Sequence, residues 1–176
     1  MKLLIVVDMQ NDFITGSLAN PEAQKIVPAV AEYIKNFDGM VIATQDTHHE
    51  NYLDTQEGEK LPVEHCMFNT HGWMLEPSIY KVCHSKSPFQ CLCKESFGSV
   101  DLAQWISCLL KYNNLTEIEF CGVCTDICVI SNALLAKAAA PEIPVFVHRN
   151  LCAGVTPESH ENALKAMAAC QIDIID

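Results

Sequence analysis

Basic residues are scarce: the 176-residue chain carries 11 Lys and Arg against 22 Asp and Glu, a formal net charge of -11. Without a basic stripe to neutralise phosphates, nucleic acid is not an expected partner, whereas a small neutral molecule is compatible with this balance. There is no uncharged apolar stretch of about 18 residues, so no membrane-spanning helix is expected. The apolar run at the start, Leu3 to Val7, is cut by Asp8 and followed by no small-residue cleavage site, and it reads as a strand rather than an export signal. Low-complexity tracts and internal repeats are also lacking. With 49% hydrophobic residues, a single globular domain over residues 1–176 with a sizeable core is expected.

Cysteine, by contrast, is plentiful. Ten are present, and Cys91, Cys93, Cys121, Cys124 and Cys170 read as lying in hydrophobic, strand-like contexts. With no export signal, that pattern fits free thiols in a reducing cytoplasm better than a disulfide framework. Cys121-Gly-Val-Cys124 has CxxC spacing, but no second pair completes a tetrahedral zinc set, so ordinary buried thiols are expected there.

Short Val- and Ile-rich runs at Leu3 to Val7, Met40 to Thr44, Ile118 to Val123, Pro144 to Val147 and Ile172 to Ile175 alternate with segments of helical period. Continuous rather than alternating hydrophobicity predicts strands buried on both faces, hence a mainly parallel sheet. Glu22 to Phe37, Val100 to Tyr112, Asp126 to Ala139 and Pro157 to Cys170 read as helices, the last with Thr156 as N-cap and Pro157 in its first turn. Gln90 to Cys93 reads as a further strand. The rhythm is that of a three-layer, Rossmann-like α/β domain. It breaks from Thr47 to about Gln90, a polar stretch with five histidines and Pro62, Pro77 and Pro88. A long irregular segment of this kind points to function.

Ligands of open parallel sheets bind beyond the carboxyl ends of the strands. Asp8 ends the first run, Asp46 follows the second, Lys94 ends Gln90 to Cys93, and the turn Gly122 to Cys128 follows Glu117 to Cys121. Cys128 falls in the first turn of a helix that Thr125 or Asp126 would cap, where free N–H groups favour a thiolate and an oxyanion. Asp8 could carry the thiol proton, and Lys94 could stabilise both anions. Taken singly, each residue has a structural reading: a loop-forming Asp, a solvated Lys, a small core Cys.

Ile5-Val-Val-Asp-Met-Gln-Asn-Asp-Phe13, Lys94-Glu-Ser-Phe-Gly-Ser99 and Gly122-Val-Cys-Thr-Asp-Ile-Cys-Val129 resemble, in order and spacing, the three motifs of the isochorismatase-like cysteine hydrolases, and among them the nicotinamidases. The resemblance implies that Asp8 is the general acid and base, Lys94 the positive partner and Cys128 the nucleophile. It also implies a cis peptide between Val123 and Cys124, with the N–H groups of Cys124 and Cys128 forming an oxyanion hole. Phe13 and Phe97 become walls for a flat ring, with Trp73 a further candidate, and self-association is implied as well.

The irregular segment offers Asp46-Thr-His48, then Glu57 and His65. Asp and His two apart on an extended chain project alike, and oxygen with imidazole donors suits zinc, iron or manganese. By resemblance this set holds a divalent metal, zinc first, that receives a pyridine nitrogen. His49 and Glu50 compete with Glu57, and spacing does not choose among them. His49, His71 and His84 read equally as surface residues. Ile127 departs from the polar or aromatic residue that some nicotinamidases carry before the nucleophile. A small-molecule amide, nicotinamide first, is the expected substrate. Other carbamoyl or ureido compounds, or a catalytically silent metal- or ligand-binding protein, are the alternatives.

Overall fold

The computed structural model describes residues 1–112 and 114–176. Six strands, β1 (Lys2–Val7), β2 (Met40–Asp46), β3 (Phe89–Lys94), β4 (Glu117–Val123), β5 (Val145–Ala153) and β6 (Asp173–Ile175), form one sheet in the order β3-β2-β1-β4-β5-β6. Every pairing is parallel. The order reverses between β1 and β4, and a crevice opens there beyond the strand ends.

Along β1 the side chains alternate between two cores. Leu3, Ile5 and Val7 pack with Leu102, Ile106, Ala133 and Leu164 on one face, and Leu4 and Val6 pack with Val30, Ile34 and Ile79 on the other. Helices α1 (Asn11–Ile14), α2 (Pro21–Asn36), α3 (Gln56–Lys60), α4 (Pro77–His84), α5 (Val100–Tyr112), α6 (Ile130–Ala139) and α7 (Pro157–Ala169) complete the three layers. α5, α6 and α7 cover the first face, and α2 and α4 the second. Thr156 caps α7 in a capping box with Pro157 at its start, as the sequence predicts.

Several elements differ from the sequence expectation. The segment before Gln90 is not wholly irregular: Glu76 caps α4, whose eight residues are too few to show a sustained period. β2 runs on to Asp46 because Gln45 and Asp46 pair with Cys93 and Lys94, and β5 runs on to Ala153 past a register shift against β4. Asp126 to Ala139 is not one α-helix. Residues Thr125–Val129 form a π-helical turn ahead of α6, and neither Thr125 nor Asp126 caps it. Instead Thr125 bonds His160 on α7 at 2.8 Å, and Asp126 accepts the Val155 N–H at 3.1 Å. All ten cysteines are free. Cys91, Cys93 and Cys170 are exposed rather than buried, since β3 is an edge strand and Cys170 ends α7. Cys121 is buried and Cys124 half-buried.

Candidate active site

At the switch point β1 delivers Asp8 and β4 delivers the turn that carries Cys128. Gly122 is required where the two strands converge: its φ is +115°, and a Cβ there would stand 2.1 Å from the Val7 carbonyl oxygen. The Val123–Cys124 peptide is cis, as the resemblance implies. Asp8 itself turns through the left-handed region at φ 47° and is fully buried.

Lys94 ties the residues together. Its Nζ lies 2.7 Å from Asp8 Oδ2, 3.4 Å from Asp46 Oδ1 and 3.5 Å from Cys128 Sγ. Thr44 donates its hydroxyl to Asp8 Oδ1 at 2.6 Å. Among the described residues Asp8 Oδ2 has no aligned hydrogen-bond donor, so its contact with Lys94 is ionic and the oxygen keeps capacity for a proton. Burial, against the opposing charge of Lys94, pushes the Asp8 carboxyl up. Burial alone would lower the Lys94 ammonium, but Asp8, Cys128 and Asp46 outweigh it.

At Cys128 two effects oppose the thiolate that a helix start would favour. Burial, and then the Asp8 carboxylate, push its thiol well up, with Lys94 pulling the other way. The sulfur, its thiol pushed up, thus sits in a site with a carboxylate whose proton affinity is also raised. The Ile127 and Val129 N–H groups both donate to the Cys124 carbonyl, while the Cys124 N–H meets no protein acceptor among the described residues.

Next to Lys94, one donor atom from each of Asp46, His48, Glu57 and His65 lies within 4.8 Å of the others. His48 Nε2 is 3.1 Å from Asp46 Oδ2 and 3.8 Å from Glu57 Oε1, and His65 Nε2 is 3.5 and 3.7 Å from the same two oxygens. Donors about 2.1 Å from a tetrahedral ion stand about 3.4 Å apart, so these spacings fit a single divalent cation. His65 Nδ1 donates to the Val63 carbonyl at 2.8 Å, which leaves Nε2 as the free lone pair. Glu57, not His49 or Glu50, completes the set. It sits in α3, which Thr55 caps by accepting the Gly58 N–H.

A cavity of about 820 Å³ opens over both groups, lined by Cys128, Cys124, Asp46, His48, Glu57 and His65, with Phe13, Phe97 and Ile127 as apolar walls. That volume lies in the usual range for small-molecule sites. The Phe13 ring meets His65 edge-on with centroids 5.7 Å apart. Trp73 does not line the cavity: its Nε1 donates to Thr47 at 2.9 Å and its ring packs on Phe68. His49 is at the rim, facing Glu95 at 3.6 Å. His71 and His84 are elsewhere, the His71 carbonyl accepting from Asn11 and from the Met74 N–H and His84 stacking on Tyr80.

Sequence reasoning passed over the residues that hold the long loop in place. Gln10 donates to the Asp46 and Trp73 carbonyls and accepts the Asp46 N–H at 2.7 Å. Asp12 accepts the Cys66 N–H at 2.7 Å, directly after His65. Tyr52, buried beneath both histidines, has its ring 4.5 Å from that of His48. The polar run Gln10-Asn11-Asp12 was the available signal, because polar residues buried straight after a core strand need partners.

Fold and site together define an α/β protein of Rossmann-like strand order whose reactive groups gather at the switch point. The isochorismatase domain family matches residues 2–176, and the chain belongs to that family. It is 27% identical to the nicotinamidase/pyrazinamidase of Mycobacterium tuberculosis, over 99% of this chain and 98% of that one. The crystal structure of the Pyrococcus horikoshii pyrazinamidase in complex with zinc matches with a TM-score of 0.82 at 32% identity, over 99% of this chain and 98% of the other. That of a nicotinamidase/pyrazinamidase from Bacillus subtilis matches with a TM-score of 0.84 at 25% identity, covering 99% of both chains.

Proposed function

We propose that the chain is a cytoplasmic cysteine amidohydrolase that converts nicotinamide to nicotinate and ammonia. The observation that carries this reading is the Lys94 ammonium, 2.7 Å from Asp8 and 3.5 Å from Cys128 Sγ, beside a cavity that also contains the four metal donors. The names of the relatives support it.

In this reading Cys128 Sγ attacks the amide carbonyl carbon as its proton passes to Asp8. The Cys124 and Cys128 N–H groups receive the developing oxyanion. Asp8 returns the proton to the amide nitrogen, the C–N bond breaks, and ammonia leaves a thioester on Cys128. Water, deprotonated by Asp8, cleaves the thioester to release the acid and restore the thiol. Lys94 holds Asp8 and Cys128 in register and balances their shared negative charge. Asp46, His48, Glu57 and His65 would hold a divalent ion, zinc by the donor set, which when bound supplies a Lewis-acid anchor for the ring nitrogen. Phe13 and Phe97 flank the ring.

The test is ammonia release from nicotinamide and benzamide, by wild type and Cys128→Ala, before and after chelation. Wild type is expected to prefer nicotinamide strongly, to lose that preference on chelation, and to be silent without the thiol. Equal rates on the two amides would favour a hydrolase of other small amides on the same residues. Activity in Cys128→Ala would sink the mechanism.

A further inference from the structure

Asn132, near the start of α6, is fully buried and lines no part of the cavity, yet its side-chain hydrogen bonds among the described residues all go to the main chain of the two segments that build the site. Its Nδ2 donates to the Cys128 carbonyl at 2.8 Å and to the Phe97 carbonyl at 3.0 Å, and its Oδ1 accepts the Ser99 N–H at 2.9 Å. Both amide hydrogens and the oxygen are used, and the identity of the partners fixes which end of the amide is which. One group thus ties the nucleophile's own peptide to the loop that follows Lys94.

A second contact seats the same loop on the same helix. At Gly98 a Cβ would stand 2.8 Å from Leu135 Cδ1 and 3.2 Å from Ser131 Cβ, so the loop lies on α6 with no room for a branched side chain. Phe97, whose carbonyl Asn132 holds and which directly precedes Gly98, lines the cavity and is 44% exposed. The spacing between the Phe97 wall and Cys128 is therefore set by Asn132 and the Gly98 contact, not by either site residue alone.

We infer that Asn132 is a positioning residue that fixes the gap between Cys128 and the Phe97 wall, and so favours flat aromatic amides over aliphatic ones. The inference rests on the amidohydrolase reading above. A ring held against the wall presents its carboxamide carbon to Sγ at attack distance. When the wall drifts, the ring tilts and that alignment is lost. A small aliphatic electrophile makes no use of the wall and is indifferent to it.

The experiment compares Asn132→Ala, Gly98→Val, Phe97→Ala and the Asn132→Ala/Phe97→Ala double variant in the metal-loaded enzyme. Two readouts are taken: kcat/KM for nicotinamide, and the rate at which iodoacetamide alkylates Cys128. Asn132→Ala and Gly98→Val are each expected to lower kcat/KM by roughly 10- to 100-fold, the scale of a misplacement near 1 Å, while alkylation keeps the wild-type rate. The double variant is expected to lose no more than the worse of its two single changes, because both act through one wall. The inference is overturned if Asn132→Ala keeps wild-type kcat/KM, if the losses multiply in the double variant, or if alkylation falls in step with turnover. Should Asn132→Ala not fold, Gly98→Val decides the matter with Asn132 in place. Wild-type protein that releases no ammonia from nicotinamide refutes the functional reading first, and this inference with it.

Discussion

Replacing Asp8 with Asn removes a charge while keeping the outline of the side chain, and the site geometry predicts opposite effects on two readouts. The buried Lys94 ammonium loses its anion at 2.7 Å and keeps Asp46 at 3.4 Å and the Cys128 sulfur at 3.5 Å. Stranding one member of a buried ion pair costs about 3–5 kcal/mol. Because Asp46 still compensates Lys94, the lower end applies: about 3 kcal/mol, or a fall in Tm of roughly 6–12 °C for a chain of this size. Turnover should fall by about 10²- to 10⁴-fold, since Asn can neither take the thiol proton nor hand one to the leaving amine. The thiol, however, should become more acidic. Burial still opposes its ionisation, but the Asp8 charge that also opposed it is gone, and Lys94 remains. Iodoacetamide should therefore alkylate Cys128 faster at pH 7 in Asp8→Asn than in wild type. Stopped-flow alkylation and steady-state ammonia release on the same preparation make the comparison. Alkylation and turnover declining together would refute the reasoning, and turnover left intact would place Asp8 outside the proton path.

Asp12→Ala frees the Cys66 N–H beside His65, and metal affinity measured by competition with a chromogenic chelator should weaken by about 10- to 100-fold with little change in Cys128 alkylation. A pH effect is expected away from the site, at Glu119, which is buried and accepts hydrogen bonds from Tyr33 and His148. Burial alone would raise its carboxyl, but those hydrogen bonds and the His148 charge hold it below its ordinary value of 4.5. A carboxylate depressed in the folded state contributes stability that is present above that ordinary value and is lost as pH falls through the folded one. Glu119→Gln should therefore lower Tm at pH 7, by several degrees for hydrogen bonds of about 1.5–3 kcal/mol, and the deficit should shrink below pH 4.5 in a thermal-melt series. A deficit that does not change with pH would contradict this.

Much of this was legible in the sequence where one segment decides its own fate. The continuous apolar runs of β1, β2 and β4 announce strands buried on both faces, and the residues that end them, Asp8, Asp46 and the Gly122–Cys128 turn, must then share one rim of the sheet. Strand-end logic found Lys94 in the same way. The candidate metal donors were partly legible, because Asp46 and His48 project together from an extended chain. Choosing Glu57 over His49 and Glu50 required the turn that places α3 over the histidines. What stayed hidden depends on partners far along the chain. Gln10 meets the Trp73 carbonyl, and Asn132 meets Phe97 and Ser99, contacts with no periodicity to betray them. At Cys128 helix-start logic favours the thiolate, while full burial beside a carboxylate pushes the thiol up, an opposition that only the packed site reveals.

The central claim is that Cys128 carries the acyl group of the substrate. Rapid-quench mass spectrometry of the metal-loaded enzyme mixed with nicotinamide tests it most directly. The account predicts a nicotinoyl adduct on the Cys128 peptide, formed as ammonia is released, decaying as nicotinate appears, and absent from Cys128→Ala. Nicotinate formed with no adduct on any cysteine, or with the adduct on another residue, would contradict it.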